Sequence, residues 1–322
     1  MPLLLVAASW FALAASLAAH SSHAAYPDKP IRVIVPWAAG GSADILARTI
    51  GNQLNAALGQ PVVVENRPGA SGNIGSDLVA KSKPDGYTLL VGVMNTHVTN
   101  QALYKNMPFR GVDDFTPIAM VAIVVTTMVV HPSLPASNLK QFIALAKANP
   151  GKLAYASAGP GSSTHLNAAL LEKMAGIQML HVPYKGGAPA VLDTVAGQTQ
   201  VLFTAATQTL PHVKSGRLRL LGVTSRQRAA MFPDVPTIAE TLPGYEATVW
   251  FGAFGPAAMP KEVTSVLNAE INRAMTSPEI KKRMEETGVE VVNITPEQFL
   301  ATMRREVPYW ENLIREFGIK AD

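Results

Sequence analysis

The chain has 322 residues, 48% of them hydrophobic and only 16% charged, with a formal net charge of +4 and no cysteine. That length holds one large or two medium α/β domains. The lack of cysteine excludes disulfides, thiolate metal sites and a cysteine nucleophile, and the scattered Lys and Arg residues form no basic block interleaved with aromatics, so nucleic acid is not an expected partner.

The first stretch, "MPLLLVAASWFALAASLAAHSSHAAYPDKP", carries no charge before Asp28. Residues 3–19 are apolar apart from Ser9 and Ser16, and small residues precede Tyr26. The run is short for a membrane span, and a small, polar exit favours cleavage. Residues 1–25 therefore read as a secretory signal, cut after Ala24 or Ala25, and the protein is expected in the periplasm. The missing basic n-region points to a true start upstream. No second hydrophobic span follows, so the mature chain is expected to be soluble.

Beyond it, β-rich runs alternate with helical patterns, as in α/β architecture. "IRVIV" predicts a buried strand. The helix after it places Ala43, Leu46, Ala47, Ile50, Leu54 and Leu58 on one face. "VVVEN" is a second strand, "RPGASGNIG" leads into a helix to about Lys81, and "YTLLVG" is a third strand of a parallel sheet. The β-rich run 118–130 is too long for one ordinary strand and predicts a crossing into a second domain. There the pattern repeats: a helix over 138–148, strand "KLAYASA", loop "GPGSS", a helix over 164–175, strand "MLHVP", loop "YKGGAPA", a helix to about Ala196, and strands "QVLFTA" and "RLRLLGV". "ATVWFGAFGP" predicts the return crossing. Ser277–Pro278 starts a helix that Gly288 stops. Thr295, Pro296 and Gln298 form a capping box for a last helix that packs Phe299, Met303, Trp310, Leu313 and Phe317 on the first domain, with a kink expected at Pro308.

Three loops share one chemistry. "PWAAGGSAD" is neither a phosphate loop nor a dinucleotide fingerprint. Its Gly40 and Gly41 still permit close backbone approach and positive φ, and Gly41 is the position expected to need it. Ser42 is placed to cap the helix, whose first N–H groups and dipole favour an anion. By itself the loop fits an ordinary strand-to-helix turn better than a binding site, because short glycine turns are frequent punctuation. "YASAGPGSSTHL" repeats the arrangement with Gly159, Gly161, Ser162, Ser163 and Thr164, and "VPYKGGAPA" does so with Gly186 and Gly187. Ligands of open α/β sheets bind beyond the carboxyl ends of the strands, so two such cradles predict an inter-domain cleft. The histidines His97, His131, His165, His181 and His212 are dispersed without metal-ligand spacing, and neither a metal nor a cofactor is expected. No G-x-S-x-G elbow occurs. Ser163 with His165 still leaves a two-domain hydrolase as the alternative. A ligand-sensing regulator is a third reading, but no DNA-binding helix-turn-helix precedes the first domain.

Six blocks occur in order: "PWAAGGSADILAR", "VVVENRPGASGNIG", "KPDGYTLL", "NPGKLAYASAGPGSSTHL", "HVPYKGGAPAVLDTVAGQ" and "DVPTIAETLPGY". Together they resemble the periplasmic solute-binding receptors of tripartite tricarboxylate transporters, the Bug-type receptors, over nearly all of the mature chain. The resemblance implies a non-enzymatic, two-domain α/β periplasmic binding protein of type II-like Venus flytrap form, each domain a mostly parallel sheet flanked by helices. The domains would be 26–125 with 250–322, and 126–249, joined by crossing strands. It implies capture of a small organic anion, a carboxylate or dicarboxylate with amino acids among them, by a monomer that delivers it to membrane permease subunits. By motif, the ligand contacts would be Trp37, Ala39, Gly40, Gly41, Ser42 and Asp44, with Asn95, Thr96 and His97 on the same wall. Opposite them would stand Ser157, Gly161, Ser162, Ser163, Thr164 and His165, with Gly187 and Asp193 behind. The opening loop would lack a phosphate-binding lysine because backbone and cap suffice for a carboxylate.

Overall fold

The computed structural model describes residues 26–229, 231–286, 288–316 and 318–320. The expected signal segment and Phe317 lie outside them. The first sheet begins with β1 (Ile31–Val35), α1 (Ser42–Leu58), β2 (Val62–Asn66), α2 (Asn73–Ala80) and β3 (Thr88–Val93). β1 runs parallel to both β2 and β3. Apart from the exposed Arg32 its run is apolar because both faces are covered: Ile31, Val33 and Val35 pack with Leu46, Ile50 and Leu54 of α1, and Ile34 joins the opposite core. α1 ends at Gly59, whose left-handed φ of 67° lets the cap N–H reach Asn55 O.

The long apolar run divides into β4 (Phe115–Val124) and β5 (Thr126–Val130), with Val125 alone between them. Val125 donates its N–H to Gly288 O at 2.9 Å, and its carbonyl accepts from Ala206 N at 2.8 Å. One residue thus hands the chain from one sheet to the other. Next come α3 (Leu139–Ala148), capped by the Asn138 side chain, β6 (Ala154–Ser157), α4 (Ser163–Ala175), β7 (Leu180–Pro183) and α5 (Gly187–Val195). They are followed by β8 (Val201–Ala205), α6 (Ala206–Lys214) and β9 (Arg219–Val223). The periodicity did not reveal α6, which follows β8 with no loop and contains Pro211. The chain returns through β10 (Val249–Pro256) to α7 (Lys261–Met275), α8 (Pro278–Glu286), β11 (Val289–Val291) and α9 (Pro296–Glu316).

The strand orders are β11-β4-β10-β3-β1-β2 and β7-β6-β8-β5-β9. Both sheets are mixed. β1, β2 and β3 run parallel, as do β6 with β7 and β8, while β4, β5 and β10 pair antiparallel with their neighbours. The parallel parts arise from strand–helix–strand units; the antiparallel strands are those that carry the chain out and back. The capping box of α9 is formed: Gln298 N donates to Thr295 Oγ1 at 3.2 Å and Thr295 N to Gln298 Oε1 at 2.9 Å. Phe299, Met303, Trp310 and Ile314 are buried on one face of α9, and the helix runs on through Pro308.

Candidate ligand-binding cleft

A cavity of about 320 Å³ lies between the two sheets. The first turns of four helices, α1, α4, α5 and α6, contribute to its wall. The Gly41, Gly186 and Ala205 caps of α1, α5 and α6 carry no side-chain hydrogen bond. The first backbone N–H groups of a helix have no partner within it, so these ends offer donors and positive dipole ends together.

The opening loop is held from behind. Gly40 has φ 84°, and its N–H donates to Asp44 Oδ2 at 3.0 Å. The same carboxylate accepts from Arg48 Nε at 3.0 Å and from Asn66 Nδ2 at 3.0 Å. Asn66 also donates to Trp37 O at 3.0 Å. Burial pushes the Asp44 carboxyl up, but the bonds from Arg48, Gly40 N–H and Asn66 outweigh it and hold it below the ordinary carboxylate value. Asp44 therefore shapes the loop and does not line the cavity, whereas Trp37, Ala39, Gly40, Gly41 and Ser42 do. Two local expectations are corrected. Gly41, not Ser42, is the helix cap, and its φ of −82° is open to any residue; the positive φ is at Gly40. The Trp37 indole lies against Gly72, where an added Cβ would come within 3.2 Å of the ring, and its Nε1 is buried without a partner.

After β3 the chain turns through a π-helical segment (Asn95–Thr99). Asn95 lines the cavity and donates to Ser71 O at 3.2 Å. Thr96 and His97 do not line it. Thr96 donates to Val93 O at 2.8 Å within the fold. His97 is fully buried, stacked on Phe254 at 3.8 Å and bonded through Nδ1 to Gly111 O at 2.8 Å. Burial pushes it down to about 4, against a smaller raising effect of that hydrogen bond, so it is neutral at pH 7. Both side chains are held inside the fold by these partners.

The second loop is wired by its own hydroxyls. Ser162, the cap of α4, donates to Gly159 O at 2.6 Å and accepts from His165 N at 3.4 Å. With its hydrogen used, Ser162 Oγ accepts from Thr164 Oγ1 across their 2.9 Å contact, while Thr164 accepts from Ala158 N at 2.7 Å. Both line the cavity, yet neither hydroxyl has a hydrogen left for an anion. Ser163, half-buried on the wall, has no such bond and keeps its hydrogen. Ser157 and Gly161 are buried behind the loop: Ser157 Oγ meets His181 Nε2 at 2.7 Å, and Gly161 N donates to His165 Nδ1 at 3.0 Å. His165 stacks on His181 with ring centroids 4.2 Å apart and lines a different cavity with Tyr155. The Ser163–His165 pair of the hydrolase alternative is thus divided between two sides of the loop. Gly187 lines the cleft, but Asp193 accepts from Tyr184 OH at 2.8 Å and stays behind the third loop.

Sequence reasoning missed Lys185, Gln208 and the apolar residues Val93, Val124, Val249 and Phe251, all on the wall. Gln208 Oε1 accepts from Thr204 Oγ1 at 2.7 Å, which aims its amide. A further contact spans the two halves: Ser71 Oγ donates to Pro160 O at 2.9 Å and accepts from Tyr104 OH at 2.9 Å. No group of three or more His, Asp or Glu that could hold a metal occurs among the described residues. Among them no helix is long and apolar enough to cross a membrane.

Two mixed α/β sheets, joined by strands that cross between them and enclosing a cleft ringed by helix N-termini, define a periplasmic binding protein. The profile described as "Tripartite tricarboxylate transporter family receptor" matches residues 46–319, and the chain belongs to that family. Protein BugT of Bordetella pertussis is 37% identical over 322 residues, covering 99% of each chain. The solved structure of R. palustris Rpa4515 with adipate matches with TM-score 0.87 at 33% identity, covering 92% of this chain and 99% of that one. The periplasmic binding protein BugD matches with TM-score 0.84 at 34% identity, covering 92% and 99%. The family consists of periplasmic solute-binding receptors for carboxylates that work with tripartite transporters, and not of enzymes.

Proposed function

We propose that this chain captures a small organic carboxylate in the cleft and hands it to the permease subunits of a tripartite transporter. It does so in the periplasm, after removal of residues 1–25, as a monomer and without nucleic acid. Residues 26–125 with 250–322 form one closing body and 126–249 the other. The observation that carries this reading is the meeting of four helix N-termini on one cavity, three of them without a side-chain cap. Preorganised N–H donors and dipoles bind carboxylate without a lysine. The ligand contacts are the backbone of Ala39, Gly41 and Ser42, with Asn95, Ser163 and Gly187, and Trp37 is a side wall. That a relative of 33% identity was solved with adipate agrees with this. The test is a thermal-shift screen of the mature chain against mono- and dicarboxylates, followed by recovery of the ligand. A bound carboxylate raises Tm by mass action and is recovered unchanged. Neutral solutes that raise Tm when no carboxylate does would overturn the reading. Amino-terminal sequencing of periplasmic material checks the cleavage site; an intact Met1 there would count against export.

A further inference from the structure

We infer that the cleft selects a carboxylate with an apolar, uncharged body and rejects the corresponding 2-amino acid, an inference that rests on the carboxylate-receptor reading above. Three observations carry it. No Asp or Glu lines the cavity among the described residues, and Lys185 is the one charged side chain on its wall. The acids on the cleft loops are already committed: Asp44 to Gly40 N–H, Arg48 and Asn66, and Asp193 to Tyr184. Between the donor loops, the ends of β3, β4, β8 and β10 present Val93, Val124, Ala205, Val249 and Phe251.

An ammonium in this space meets the positive ends of four helices and no carboxylate. Helix N-termini favour anions and disfavour cations, and a charge taken out of water without a partner is costly. The same walls suit a hydrocarbon chain or ring, since burial of apolar surface against Val93, Val124, Val249 and Phe251 is favourable. Hydrogen-bond donors remain for the far end of the ligand. Gln208 is fixed through its oxygen by Thr204, which leaves its NH₂ to donate, and Lys185 stands exposed at the wall. A second carboxylate or a hydroxyl at that end is matched; an ammonium at either end is not.

The test titrates the mature chain by calorimetry with matched pairs: adipate against 2-aminoadipate, glutarate against glutamate, and 4-methylpentanoate against leucine. In each pair that binds, the deamino acid is expected to bind tighter by about tenfold or more. An amino acid that binds as tightly as its deamino partner overturns the inference and leaves the receptor reading standing. If no acid of either kind binds, both fall together. A variant sharpens the cause. Ala188 is exposed in the first turn of α5 on the cavity wall, where an acidic residue suits the helix end. Ala188→Asp, with its fold checked by circular dichroism, is expected to narrow the ratio about tenfold by giving the ammonium a partner. An unchanged ratio would overturn the electrostatic account.

Discussion

The opening glycine loop is held from behind by a carboxylate; the glycine loop across the cleft is held from within by its own hydroxyls. Asp44 gathers Gly40 N–H, Arg48 and Asn66 without entering the cavity, so the first loop is fixed by a side chain outside the site and presents its backbone beside Trp37 and Ser42. In the second, Ser162 and Thr164 reach the cavity wall but spend their hydrogens on Gly159 O and on Ser162 Oγ respectively, leaving Ser163 as the side-chain donor. Similar sequence grammar thus hides two ways of fixing a loop. A hydroxyl near a cleft is a ligand group only if its hydrogen is free.

The largest effect that would break this comparison is at Asp44. Asp44→Ala leaves Gly40 N–H, Asn66 and Arg48 without their buried acceptor and is expected to cost about 2–4 kcal/mol of stability, as loss of hydrogen bonds to a buried charge does. Its sign with pH follows from the lowered carboxyl: the Asp44 contribution is complete above about pH 4 and is lost as pH falls through the lowered value. Urea melts of wild type and Asp44→Ala are therefore expected to converge at acid pH. Equal stabilities at neutral pH would mean that the loop does not depend on its carboxylate.

Ser163→Ala comes next. It removes the free hydroxyl and is expected to weaken ligand binding by about 1.5–3 kcal/mol, or roughly tenfold to a hundredfold, with the melting temperature of the free protein unchanged. Thr164→Val does the reverse. It strips the acceptor from Ala158 N–H and is expected to lower stability by about 1–2 kcal/mol, with the smaller effect on affinity. Calorimetric titration beside denaturant melts reads both quantities for each variant. If Thr164→Val weakens binding more than Ser163→Ala does, the assignment of the hydrogens in this loop is wrong.

Most of the fold was legible because its signals are local. The apolar run of β1, the spacing of Leu46, Ile50 and Leu54 in α1, and the Thr295–Gln298 box each need only a few neighbouring residues. The crossing was legible as well, as one run too long for one strand; its division at Val125 depends on Gly288 and Ala206, far away in sequence. The site was legible as loops but not as side chains. Motif position brought Thr96, His97, His165 and Asp193 to the right loops, and tertiary partners turned them away from the cavity. Phe251 and Gln208 escaped notice because a strand residue and a helix residue become a wall only when two sheets meet.

The smallest expected effects distinguish the two glycines of the opening loop. Gly40 and Gly41 look interchangeable in sequence but differ in what they leave room for. Gly40 has φ 84° and no atom within 4 Å of an added Cβ, so its constraint is conformational and not steric. Gly40→Ala is expected to cost about 1 kcal/mol through left-handed strain, with little change in affinity, because its N–H still reaches Asp44. Gly41 has φ −82° and ψ 171°, ordinary for any residue, and an added Cβ would meet only Ala38 O at 3.7 Å. Gly41→Ala is therefore expected to keep stability within about 0.5 kcal/mol. Its methyl occupies the space beside the first N–H groups of α1, so affinity is expected to fall severalfold. Melts and titrations of the two variants should thus move opposite observables. If Gly41→Ala binds like wild type, the ligand does not approach the first cradle, and the cleft holds its carboxylate by the second sheet's loops alone.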